Sequence, residues 1–377
     1  MLASAGKSNK HNQQTLIQVQ MEETMSYKIK YNCLKFSWAF IFLLFFQVAF
    51  SQGNKKNSKE IGTDHFTMLD ELVKKNQKLL GNDIIAMLWS DTLVYKRELG
   101  LFDARTLVPV EGSSQWLTAA LVLKIAEEGK ISLDDKVSDY IPIFSTYGKN
   151  YITIRHCLSH FTGVQSDKKL FDKKKFSSLE DIVVSYAKRE IKTNPGTEFS
   201  YSAVGATIAG RVLEIVTKKK FDMLIKQKLF NPLGMRKSSF SDMQGGPIDP
   251  SDGARSTADE YMNFLRMLLN NGKHNGQQFL SEASIKELRS LTTAPELIKY
   301  TPGTTQGFNY ALGSWVIEEG QNNEASSLSG VAIEGTWPMI NWEKKYAFLI
   351  FVKNPSEEQK KETYLEMIET AEEELKK

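Results

Sequence analysis

Cysteine is nearly absent: two occur in 377 residues, Cys33 and Cys157. Cys33 falls inside an N-terminal stretch with export character, ahead of its apolar core, where it is not placed for lipid attachment. Cys157 then stands alone in the mature chain, which excludes an internal disulfide, and no motif supports a catalytic thiol. Strong charge of one sign is also missing. Net charge is only +3, which gives no reason to expect nucleic acid as a partner. The short basic runs at Lys168-Lys169, Lys173 to Lys175 and Lys218 to Lys220 read as solvated faces. No apolar run reaches the ~20 residues that a membrane-spanning helix needs. No internal repeat or low-complexity segment follows Gly53.

The rest is ordinary for a globular protein, with 41% hydrophobic and 25% charged residues. Length allows a full core, in one large domain or in two lobes sharing a cleft. Residues 1–24 are polar and featureless, and Met25 is a second candidate start. From Met25, three lysines precede the apolar stretch "FSWAFIFLLFFQVAF", and Ala49-Phe50-Ser51 offers small residues for cleavage. Residues 25–51 therefore read as a signal peptide, with export to the periplasm or exterior and no stable membrane span after cleavage. An uncleaved anchor is the alternative. The mature domain would run from 52 to 377.

Hydrophobic spacing predicts a helix over His65 to Leu80, with Phe66, Leu69, Val73 and Leu80 on one face. Strands follow in "DIIAMLW" and "TLVYKREL", turned at Ser90-Asp91. The middle is mostly helical in pattern, punctuated at "NPGTEF", "NPLGM" and "GGPIDPSDG". Strand character returns in "YALGSWVI" and "YAFLIFV". A last helix places Tyr364, Met367, Ile368, Ala371 and Leu375 on one side. Strands and helices at both ends around a helical middle imply a sandwich with a helical insertion, and a cleft between lobes for a ligand.

The stretch "TAALVLKIAEEGKISLDDKVSDYIP" resembles the helix and loop after the nucleophile in the serine β-lactamase and penicillin-binding-protein superfamily. "ITIRHCLSHFTGV", "NPGTEFSYSAVG", "NPLGMRKSSF", "GARSTADEYMNFLRMLLNNG" and "YALGSW" are similar to later landmarks, in the same order. The resemblance covers roughly Phe66 to Asn354 and is nearest to the branch of class C β-lactamases, D,D-peptidases and esterases. It implies an α/β (α+β) fold: an antiparallel sheet flanked by helices, plus an all-α lobe inserted over about residues 114–300.

The implied chemistry rests on a Ser-x-x-Lys that starts a helix, a Tyr-x-Asn or Ser-x-Asn loop, and a strand with Lys-Thr-Gly or His-x-Gly. Residues three apart share a helical face, so the lysine can take the serine proton. Anchored on Trp116-Leu117-Thr118-Ala119, the alignment puts Gly112 at the nucleophile and Gln115 at the lysine. Glycine has no side chain to attack with, and an amide is no base near neutral pH. In the second motif Tyr201 is kept and Ala203 replaces the asparagine. In the third, Gly330 and Ala332 stand at the His and Gly positions, give or take a residue or two. No His, Lys or Arg occurs from Gln321 to Asn341.

Substitutes for the missing pair are weak. Ser113 and Ser114 flank the nucleophile position without a base at helical reach and read as helix-capping residues; Glu111 is the acid placed to act across the turn. Ser166-x-x-Lys169 and Ser185-x-x-Lys188 match by letters but open no apolar helix. His156 and His160 bracket Cys157 without a third metal ligand and read as packing or hydrogen-bonding residues. No cofactor is expected. Two functions stay open: an exported, inactive binding or regulatory protein, or a serine hydrolase using Ser113 or Ser114 with a non-standard base. In the first, Glu111, Ser113, Ser114, Trp116 and Trp337, beside Gln115 and Tyr201, would line a neutral cleft. That cleft would favour uncharged envelope peptides, glycans or small esters and amides over carboxylates, and a protein partner is also open.

Overall fold

The computed structural model describes residues 60–166, 176–241, 245–332, 335–353 and 360–377. The polar leader, the proposed signal peptide with Cys33, and the basic runs at 168–175 lie outside these residues.

One antiparallel sheet organises the chain. Its strands are β1 (Ile84–Ser90), β2 (Thr92–Leu99), β3 (Asn309–Tyr310), β4 (Trp315–Glu319), β5 (Ala325–Ser329), β6 (Trp337–Asn341) and β7 (Tyr346–Val352). Their order is β3-β4-β5-β6-β7-β1-β2, so the first and last parts of the chain pair at β1–β7, with Ala86 opposite Ile350. The β1–β2 turn runs through Asp91 at φ 57°, a left-handed conformation that a short polar side chain tolerates.

Both faces of the sheet are covered, and alternation along β1 and β7 sorts their residues. Ile85, Met87, Leu349 and Phe351 join a core under the helical segment. Ile84, Leu88, Phe348 and Ile350 join a second core under the terminal helices α1 (Thr67–Lys75) and α5 (Lys361–Leu375). Phe66, Leu69, Val73 and Leu80 are buried there, as are Tyr364, Met367, Ile368 and Ala371. The two helices are tied at their ends: the buried Glu374 carboxylate accepts the amides of Met68 (3.1 Å) and Leu69 (3.0 Å). Those are first-turn donors that a helix leaves without internal partners.

Between β2 and β3 lie α2 (Ser114–Glu127), α3 (Val204–Thr217), α4 (Ala258–Leu269), shorter helices and several short strand ladders. Every residue of α2 from Ser114 to Leu123 is buried, on all sides of the helix, so it sits inside the molecule. It ends before Gly129, whose φ of 69° suits a helix stop. α3 lies close against the helix Ile154–Leu158. A Cβ at Gly205 would come within 1.9 Å of the Cys157 carbonyl oxygen, so only glycine permits this approach.

Candidate functional site

Three distant segments meet at Gly112. The residue lies in a single 3-10 turn, Glu111–Ser113, that leads into α2. A Cβ placed on it would lie 3.0 Å from Tyr201 Oη, 3.1 Å from the Val331 carbonyl oxygen and 3.6 Å from Ala332 Cα. The positions aligned with the three motifs therefore converge. Gln115 Nε2 donates to Tyr201 Oη at 3.1 Å, so an amide–phenol bond joins the lysine and tyrosine positions. Ala203 is the N-cap just before α3, its methyl offering no hydrogen bond. The backbone of 331–332 faces Gly112, whereas Gly330 is set behind it. A Cβ at Gly330 would meet Trp116 at 3.1 Å and Ser113 Cα at 3.4 Å.

Four residues expected to line the cleft do not. Ser113 and Ser114 have no exposed surface. The Ser113 hydroxyl donates to the Gly330 carbonyl and its own carbonyl accepts from Tyr261 Oη at 3.0 Å. Ser114 Oγ accepts the Ala254 amide at 3.0 Å. Each hydroxyl satisfies a backbone group that packing would otherwise leave unpaired. Trp116 is enclosed in the core edge-on to Phe264, and Trp337 lies against Tyr364 at 4.7 Å in the core under the terminal helices. Glu111 is half-buried and takes φ 45°.

The other sequence candidates have local roles. His156 closes a capping box with Thr153, its Nδ1 accepting the Thr153 amide at 3.3 Å. Burial raises the Cys157 thiol pKa, which suppresses the reactive thiolate. Ser185 donates to the Ile182 carbonyl at 2.6 Å within its own helix. Lys169, partner of Ser166 by spacing, falls outside the described residues.

An aromatic block that the sequence reading missed supports Tyr201. His160 packs on Tyr201 with ring centroids 4.6 Å apart, and Trp315 lies 5.0 Å from the same ring. His160 Nδ1 accepts the Ser202 amide at 3.3 Å. Its proton therefore sits on Nε2, which donates to Tyr310 Oη at 3.0 Å. Burial pushes the His160 pKa down to about 3, so the imidazole is neutral. Burial pushes the Tyr201 phenol above its ordinary value, reinforced by Asp252 and Tyr300. A phenol shifted that way is no base at neutral pH. The nearest sequence signal was the clustering of aromatic residues in "HF", "FSY" and "YALGSW", which says nothing of their mutual contact.

Tyr201 and Ala203 also border a cleft of about 770 Å³ lined by Thr162, Ser200, Ser202 and Tyr300. Its rim is not neutral. Among the described residues, Arg189, Lys192 and Lys299 contribute cations against the single carboxylate of Glu198. Lys192 pairs with Glu190 at 2.7 Å and Lys299 approaches Glu198 at 3.8 Å. The Arg189 guanidinium lies 4.6 Å over the Tyr186 ring and donates to the Gln165 carbonyl at 3.2 Å. The neutral floor expected from the sequence is not the character of this rim.

The family model for Beta-lactamase matches residues 86–371. Penicillin-binding protein 4 of Amycolatopsis lactamdurans is 26% identical over 241 residues, which span 56% of this chain and 63% of that protein. Protein flp of Staphylococcus aureus is 31% identical over 140 residues, spanning 36% of this chain and 28% of that protein. The chain thus covers less than two thirds of either relative's length. Among solved structures, a candidate beta-lactamase from Bacteroides dorei superposes with a TM-score of 0.74 at 23% identity, covering 83% of this chain and 99% of that one.

Proposed function

Because the chain belongs to the beta-lactamase family, within the serine hydrolase superfamily of β-lactamases and penicillin-binding proteins, we propose that it is an exported member that binds ligands without hydrolysing them. Its role is that of a binding or regulatory module at the cell envelope. The observation that carries this reading is Gly112, at the point where the motif segments meet, beside a Tyr201 phenol held by an amide. Acyl transfer needs a nucleophile and a base that takes its proton. Loss of one member of such a unit costs about 10⁴ to 10⁶ in turnover, and further losses add little.

Hydrolysis through Ser113 or Ser114 would require breaking hydroxyl contacts to the backbone and opening a packed core. Support for binding comes from the cleft beside Tyr201, whose size suits a peptide or sugar unit and whose walls mix hydroxyl, aromatic and cationic groups. Envelope peptides, glycans and small esters or amides are the ligand classes proposed, together with a protein partner. Export rests on the sequence of residues 25–51.

The test uses the full chain with a chromogenic cephalosporin and a p-nitrophenyl ester, alongside calorimetric titration with a muropeptide. Saturable muropeptide binding without turnover above a heat-inactivated control is the expected result. Turnover that saturates with either chromogenic substrate would overturn the proposal.

A further inference from the structure

A second cleft, of about 500 Å³, shares no lining residue with the first. It is walled by Trp89 at the end of β1, Arg266 in the last turn of α4, Arg289 at the end of the helix Glu282–Arg289, and Trp342 and Lys345 in the β6–β7 turn. Each arginine lies over a tryptophan. The Arg266 guanidinium is 3.7 Å from the Trp89 ring centre, and that of Arg289 is 4.7 Å from Trp342. Trp342 is fixed in turn, its indole nitrogen donating to the Leu268 carbonyl at 3.1 Å.

The two arginines differ in what satisfies them. Arg289 donates to the Ala325 carbonyl at 2.9 Å and faces Glu324 at 3.6 Å. Arg266 has a single long hydrogen bond, to Asn263 Oδ1 at 3.5 Å, and its Nε is buried without a partner among the described residues. No carboxylate among those residues lies within ion-pair distance of it. A basic residue in the last turn of a helix complements the helix dipole, and stacking on tryptophan is favourable. Neither effect supplies an acceptor for the buried Nε of a half-buried guanidinium, whose fork of donors matches a two-oxygen acceptor.

We propose that this cleft is a second, non-catalytic binding site for a small oxyanion group, the carboxylate or phosphate end of a ligand. Arg266 holds it through its unpaired donors, and Arg289 and Lys345 add positive potential. Asp91 and Glu343 also line the cleft, so Arg266, Arg289 and Lys345 against these two leave +1, before the Glu324 carboxylate that faces Arg289 is counted. The site is therefore suited to one anionic group and not to a polyanion. It stands independently of the reading of the first cleft.

Titration of the full chain at constant ionic strength tests it, with inorganic phosphate in one arm and succinate in the other, read by calorimetry and tryptophan emission. Saturable binding in at least one arm is expected, and the arm that saturates identifies the group. Arg266→Gln weakens that binding at least about tenfold, the loss expected for a charge-assisted contact. Tyr201→Phe, in the other cleft, leaves it unchanged. Should Arg266→Gln fail to fold, Trp89→Phe serves instead, and it abolishes most of the ligand-dependent emission change. No saturation in either arm overturns the proposal, as does equal affinity in folded Arg266→Gln or an unaltered emission change in Trp89→Phe.

Discussion

His160 makes the protein acid-sensitive in a way that can be isolated. The ring is 3% exposed, neutral, and fixed between the Ser202 amide and Tyr310 Oη. Free imidazole titrates near ~6.5, whereas the folded chain holds His160 down at about 3 through burial. Between those values the unfolded chain carries the extra proton, so stability is intact above pH ~6.5 and is lost as pH falls. The loss reaches about 2–3 kcal/mol by pH ~4.5. Tyr201 and Tyr310, which face the ring, are both shifted upward by burial and stay neutral throughout. Urea denaturation of the wild type and His160→Asn at pH ~7.5, ~5.5 and ~4.5 measures the effect. Asparagine suits this position because residue 160 has φ 61°. The variant loses the Tyr310 bond and is weaker at neutral pH, but its stability falls by about 2–3 kcal/mol less on acidification. Carboxylates whose pKa is lowered by ion pairing, such as Asp134, contribute equally to both proteins and cancel. Parallel pH profiles for the two proteins would show that His160 does not carry this acid dependence.

Two further substitutions probe the site and the packing around it. A double-mutant cycle with Gln115→Met and Tyr201→Phe should give a coupling of about 0.5–1.5 kcal/mol in urea denaturation, the range of a bond between neutral groups. A value indistinguishable from zero would mean the contact does not persist in solution, and one above about 3 kcal/mol would mean an ionised phenol. Gly205→Ala should lower the melting temperature although alanine favours a helix by about 1 kcal/mol. Its methyl has no room against the Cys157 carbonyl, and such overpacking costs about 1–3 kcal/mol or more. A stabilised Gly205→Ala would show that α3 and the helix at 154–158 stand further apart.

The sheet was legible where alternation and β-branched or aromatic residues coincide, as in "DIIAMLW" and "YAFLIFV", and less so at β5 and β6. β5 reads Ala-Ser-Ser-Leu-Ser, a composition typical of loops, yet Ser327 and Ser329 are buried with their hydroxyls on the Ile340 and Pro338 carbonyls. β6 contains Pro338, which argues against a central strand. It is tolerated near the strand end, where its carbonyl accepts the Gly330 amide. At the site, motif order identified which segments would meet, and Gly112, Gln115 and Tyr201 do meet. Exposure was not legible. Ser113 and Ser114 are sealed by Gly330, Ala254 and Tyr261, residues more than a hundred positions away that helix periodicity cannot place. The charged rim of the first cleft, drawn from Arg189, Lys192 and Lys299, has the same origin in long-range contacts.

Without a nucleophile no acyl bond forms, so the decisive measurement is the intact mass of the full chain after prolonged exposure to a fluorescent penicillin and to a fluorophosphonate. An unchanged mass is expected with both reagents. A stoichiometric adduct mapped by peptide analysis to Ser113 or Ser114 would contradict it.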